Sequence, residues 1–107
     1  MMESHEAVRF TGHWTHSFEE DGADVLVYRP THGFAFPLSR RGRETLEVDQ
    51  AGQVVSGMPG PDDRLRLSNA SMVALGMNRF RLEGTALPAQ VIEIIEAKPD
   101  MLKLRYV

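Results

Sequence analysis

Apolar and polar residues alternate along most of this chain, in short runs separated by glycine, proline, asparagine and aspartate. A period of two is the mark of strands with one buried face. Residues 12–19 (GHWTHSFE) carry aromatic and β-branched side chains at alternate positions, and Asp21-Gly22 follows where a hairpin turns. Residues 23–29 (ADVLVYR) form the next strand, closed by Pro30, which lacks a ladder donor. The stretch 31–42 (THGFAFPLSRRG) mixes Phe34, Phe36 and Leu38 with Gly33 and Pro37, and predicts a short or irregular edge strand between loops.

From 44 to 49, Leu46 and Val48 share one face, with Thr45, Glu47 and Asp49 on the other. Ala51-Gly52 turns the chain into a return strand at 53–58, and 59–63 (PGPDD) reads as a loop. Residues 64–68 (RLRLS) alternate with Leu65 and Leu67 inward. A further hairpin joins 71–75 (SMVAL) to 79–83 (RFRLE), with Phe80 and Leu82 toward the core opposite Arg79, Arg81 and Glu83. Residues 89–96 (AQVIEIIE) fit two periods, because Val91, Ile92 and Ile95 also match helical spacing behind Pro88. The β-branched density and the turn at Lys98-Pro99-Asp100 favour a strand. The chain closes on Leu102, Leu104 and Tyr106 alternating with Lys103 and Arg105.

Eight to nine short strands, spaced by about ten residues, predict an all-β fold, a small antiparallel barrel or sandwich occupying residues 1–107 as one domain. With eight strands, each is about five to six residues long. A barrel of that size is often filled by its own side chains.

Composition narrows the chemistry. There is no cysteine, which removes disulfides, thiolate nucleophiles and Cys-ligated metals. The net charge of −3, with both signs scattered, provides no field for nucleic acid or anionic lipid, so neither a nucleic-acid nor a membrane partner is expected. The first ten residues hold two glutamates and no apolar stretch suited to a secretory leader, and a cytoplasmic location is the default. All basic residues except Lys98 and Lys103 are arginine. That bias serves bidentate carboxylate recognition or reflects GC-rich coding.

The segment Phe10-Thr11-Gly12-His13-Trp14 resembles the Gly-X-Trp opening of the lipocalins and the wider calycin group. The order WTHSFEED, VYRP, SRRGRE and Gly-Pro-Asp-Asp-Arg also resembles uncharacterised bacterial lipocalin-like proteins of this size. The resemblance implies an antiparallel up-and-down β-barrel of about eight short strands whose tryptophan lies across the closed end and stacks on an arginine from a late strand, here Trp14 on Arg105. A cation on an indole face contributes about 0.5–2 kcal/mol, so that pair is a structural plug. The resemblance supplies a fold and no function.

Four histidines, His5, His13, His16 and His32, fall in the first third of the chain. On a strand, His13 and His16 point to opposite faces and cannot share an ion, so no metal site and no cofactor are expected. His16 shares a face with Trp14 and, four residues on, with Glu20. With Glu19, Glu20 or Asp21 it forms a candidate acid–base pair, for which His16 and Glu20 are the catalytic candidates. No nucleophile or oxyanion donor is visible beside them. Arg40-Arg41-Gly42-Arg43 is the one basic cluster, able to clamp a carboxylate, phosphate or acidic peptide, or to be neutralised locally by Glu44 and Glu47.

Three functions fit. The first is a non-enzymatic module that holds a small apolar or amphipathic ligand, or a peptide, at the open end of the barrel. Its inward candidates are Trp14, His16, Tyr28, Phe34, Phe36, Met72 and Phe80, with Arg41 or Arg43 as the orienting charge. The second is a small enzyme or biosynthetic accessory protein built on His16. The third is an interaction protein acting through a strand edge or a homodimer face. A roomy cavity favours the first two and a filled barrel the third.

Overall fold

The alternating segments pair edge to edge into a single sheet that closes on itself. The computed structural model describes residues 10–59, 65–84 and 90–107. Its strands are β1 (Gly12–His16), β2 (Leu26–Pro30), β3 (Thr45–Val48), β4 (Gln53–Pro59), β5 (Leu65–Gly76), β6 (Arg79–Gly84), β7 (Gln90–Lys98) and β8 (Met101–Tyr106), with a 3-10 turn at Phe18–Glu20 after β1. The order around the barrel is β1-β2-β8-β7-β6-β5-β4-β3, and every neighbouring pair is antiparallel. The fold is thus an all-β, closed, eight-stranded antiparallel up-and-down barrel, one of the two architectures that the alternation allows. His5, the loop at 60–63, Arg64, Pro88 and Ala89 lie outside the described residues.

From β3 to β8 each strand lies beside the next in sequence. The exception is the start of the chain, where β1 stands between β2 and β3. Because β1 is antiparallel to both, β2 and β3 run the same way, and residues 31–44 must return along the full height of β1. This strap begins beside His13, where the Thr31 N–H donates to the His13 carbonyl (2.9 Å), and ends beside His16, whose N–H donates to the Glu44 carbonyl (2.9 Å). The interior is filled, so the strap crosses the outer face of β1. Thr15 points outward yet is buried, and its hydroxyl lies 2.8 Å from that of Thr31.

Inside, alternate residues of every strand converge on one core. Trp14, Tyr28, Val48, Val54, Phe80, Ile92, Ile94, Leu102 and Leu104 are buried together with Phe10, which meets Phe80 edge to face at 5.6 Å. The outer face carries Arg81, Glu83, Glu93, Glu96, Lys98, Lys103 and Arg105 in ion pairs. This polarity is the inverse of that of a lipid-spanning barrel. No helix of the described residues is long and apolar enough to cross a membrane.

Several boundaries differ from the sequence reading. The first strand ends at His16 rather than 19, because the chain turns into the 3-10 segment and aims Phe18, Glu19 and Glu20 away from the interior. Residues 65–68 and 71–75 belong to one strand, β5, since Asn69 and Ala70 pair with Val55 and Val54 without interruption. In that register Leu67 faces outward and is 67% exposed, the reverse of the expected orientation. Residues 90–98 are a strand, as the β-branched density favours. Ile95 follows inward-facing Ile94 and lies at the surface, and the register shift between Ile94 and Glu96 turns Glu96 outward and Ala97 inward.

Candidate functional site

The barrel interior leaves a cavity of about 20 Å³ between Phe10, Leu46, Met72, Leu82 and Leu102, with a wholly apolar lining. That is room for about one water molecule, in surroundings that offer a water no partner. An apolar ligand of ordinary size needs several hundred Å³. Trp14, Tyr28, Phe80 and Met72 therefore act as packing. The Trp14 indole N–H donates to the Phe10 carbonyl at 2.8 Å. Arg105 leaves the barrel on the face opposite Leu104, where it bonds Glu93 at 2.8 Å and approaches Asp24 at 3.6 Å. The expected Trp14–Arg105 stack is absent from the cation–ring contacts of the described residues, because the two side chains occupy opposite faces of the sheet.

Polar groups concentrate at the end of the barrel where β1 finishes. His16 is 5% exposed and stacks on Tyr28 at 5.1 Å between ring centroids. Its Nε2 lies 2.9 and 3.1 Å from the two carboxylate oxygens of Asp21, and Asp21 also accepts the Val27 N–H at 2.9 Å. Burial pushes the Tyr28 phenol far above its ordinary range, with the Glu44 carboxylate as the leading charge acting in the same direction. Glu20, expected as the acidic partner of His16, instead accepts a bidentate pair from Arg29 at 2.8 and 2.9 Å and the Ser17 hydroxyl at 2.7 Å. Those bonds, Arg29 first, hold its carboxyl down to about 2. The hydroxyls beside His16 are engaged elsewhere, Thr15 with Thr31 and Ser17 with Glu20. The arrangement orients an imidazole and places no free nucleophile next to it among the described residues.

His13 and His16 face opposite ways, as strand geometry requires. His13 is outside, 3.7 Å from Glu47 and in edge contact with His32, while His16 is inside. No group of three or more metal-ligating side chains gathers among the described residues.

The strap holds the remaining candidates. Phe34 and Phe36, expected to face inward, pack on each other outside the barrel at 4.7 Å. Arginines cover their rings: Arg29 sits 5.0 Å from the Phe34 centroid and Arg43 5.0 Å from that of Phe36. Arg43 also lies 4.5 Å from the Phe18 centroid and Arg41 4.3 Å from the same ring, so cations and rings alternate from Arg29 through Phe34, Phe36, Arg43 and Phe18 to Arg41. Arg43 clamps Glu19 at 2.7 and 2.9 Å and donates to the carbonyls of His16 and Pro37. Its partner is Glu19 rather than the Glu44 or Glu47 adjacent in sequence, and the clamp lowers the Glu19 carboxyl. Phe18, Glu19 and Arg29 are the members that sequence reasoning did not assign to these roles, whereas Asp21 was one of the three carboxylates offered to His16. The acidic run at 19–21 was the available signal. Which residue met which cation depended on the unforeseen 3-10 turn.

Residues 37–42, by contrast, are exposed at every position. Leu38 is fully exposed, and among the described residues Arg40 and Arg41 have no carboxylate partner. The Arg41 N–H donates to the Ser39 hydroxyl at 3.0 Å, which shapes the turn between them.

Comparison with protein-family models, curated proteins and solved structures found no match. The site's own geometry therefore carries the functional argument.

Proposed function

We propose that this protein is a non-enzymatic binding module that recognises a segment of another protein through the strap, at the end of the barrel where β1 terminates. The observation that carries this reading is the excess length of the strap. Passing from the edge of β2 to the edge of β3 over β1 means about 10 Å along the strand and about 10 Å across it, which extended chain covers in roughly five residues, or eight with an arch over side chains. The strap uses fourteen. The surplus forms the exposed excursion at 37–42, held by the arginine–phenylalanine ladder on either side. Long irregular loops on rigid scaffolds are where binding residues concentrate. The interior supports the same reading, since the cavity lined by the described residues, about 20 Å³, is far smaller than a small apolar ligand needs.

The test is site-specific photo-cross-linking in the host. A photoreactive residue replacing Leu38 should give a discrete protein adduct, whereas the same residue replacing the equally exposed Met77, in the β5–β6 turn, should not. Equal labelling from both positions, or none from position 38, would overturn the strap as the recognition element.

A further inference from the structure

Building on that reading, we propose that the strap apex docks an acidic peptide segment bearing one large apolar side chain, with Arg40 and Arg41 taking its carboxylates and Leu38 its apolar residue. The charge balance around the apex points to this partner. Glu19 and Arg43 cancel in a bidentate pair, and so do Glu20 and Arg29. Within 37–42 the only charges are those of Arg40 and Arg41, on a chain whose net charge is −3, while Glu44 at the foot of the strap lies against the Tyr28 phenol. The apex is thus a local inversion of the molecule's own sign.

Its geometry suits a carboxylate. Arg41 is laid on the Phe18 ring at 4.3 Å, which restrains the guanidinium while leaving N–H donors in its plane for a bidentate partner. The Ser39–Arg41 bond fixes the backbone between the two ends of the apex. Such preorganisation lowers the ordering cost of binding. Leu38 stands on the same excursion with its whole side chain in solvent.

Other anions fit less well. Single-stranded nucleic acid needs open aromatic faces for base stacking, and the Phe18, Phe34 and Phe36 rings already carry guanidiniums. An anionic membrane surface is met by clusters of about four to eight basic residues, more than the apex provides.

Fluorescence anisotropy with labelled synthetic peptides of equal length tests the proposal on the intact protein. The probes are a glutamate-rich peptide with a central leucine, the same peptide with serine in place of leucine, and a neutral glutamine counterpart. The leucine-containing acidic peptide should bind at least tenfold more tightly than the neutral one. Arg40→Glu should weaken it by about tenfold or more, because Arg40 holds nothing else among the described residues, and Leu38→Ser by about tenfold. Unchanged strand signals in circular dichroism would confirm that both variants fold.

Binding that ignores Arg40→Glu, or that single-stranded DNA or anionic vesicles match in strength, would overturn the acidic-peptide assignment. No acidic-peptide binding together with a position-38 cross-link would reject this partner chemistry while leaving the strap as the recognition element. Failure of both would remove the proposed function as well.

Discussion

At the scale of residues, His16 has three carboxylates within five positions and bonds only Asp21. The reason is local: the strand stops at His16, the 3-10 turn throws Glu19 and Glu20 outward to the arginines, and Asp21 returns over the imidazole. Asp21→Ala strips the partner from a buried imidazole and from the Val27 N–H. It should cost about 2–4 kcal/mol in urea unfolding, as expected when buried hydrogen-bonding groups are left unmatched. Trp14 tests the packing side of the same scale. Trp14→Ala should lose about 3–5 kcal/mol, since it removes a buried indole and frees the Phe10 carbonyl. A loss below about 1 kcal/mol would contradict its place in the core.

At the scale of elements, the strap is the part of the chain whose role the strands do not dictate. Its two ends belong to the β-ladder and its middle is held by side chains, so the middle should loosen first when the ladder of rings and cations is cut. Arg43→Ala removes a bidentate carboxylate pair, contacts to two rings and bonds to two carbonyls. In hydrogen–deuterium exchange, the His16 amide, which bonds the strap at Glu44, should then exchange about tenfold faster. The Met72 amide, bonded to Gly52 where the β4–β5 ladder ends, should hold its rate. Equal acceleration of both would mean that Arg43 supports the whole barrel rather than the strap.

At the scale of the molecule, stability should fall in acid for an identifiable reason. The Glu20 carboxyl sits at about 2 in the folded protein against an ordinary 4.5, chiefly because Arg29 and Ser17 hydrogen-bond its charged form. A carboxyl lowered by folding stabilises the native state above its unfolded value. That contribution is lost as pH falls from about 4.5 toward about 2. Denaturant midpoints measured across that window should decline steeply, and Glu20→Gln should flatten the slope while leaving the pH dependence above 5 unchanged. An unaltered slope in the variant would place the acid sensitivity in other groups.

Period-two alternation determined the strands of this protein, because a half-buried sheet imposes it directly on the sequence, and the number of alternating segments in a short chain narrowed the fold to a small barrel or sandwich, of which the strand pairing chose the closed barrel. Core positions such as Val48, Phe80, Leu102 and Leu104 were legible for the same reason. Tertiary structure alone decided the rest. Alternation within β1 does not say which strands flank it, so the crossing of residues 31–44 was invisible, and with it the outward placement of Phe34 and Phe36. A run of three acids does not say which will meet a histidine and which an arginine, because that depends on where the chain leaves the sheet. Leu67 went the other way for a related reason: one uninterrupted register through β5 fixes the face of every residue in it, and the Asn69-Ala70 step does not reset that register.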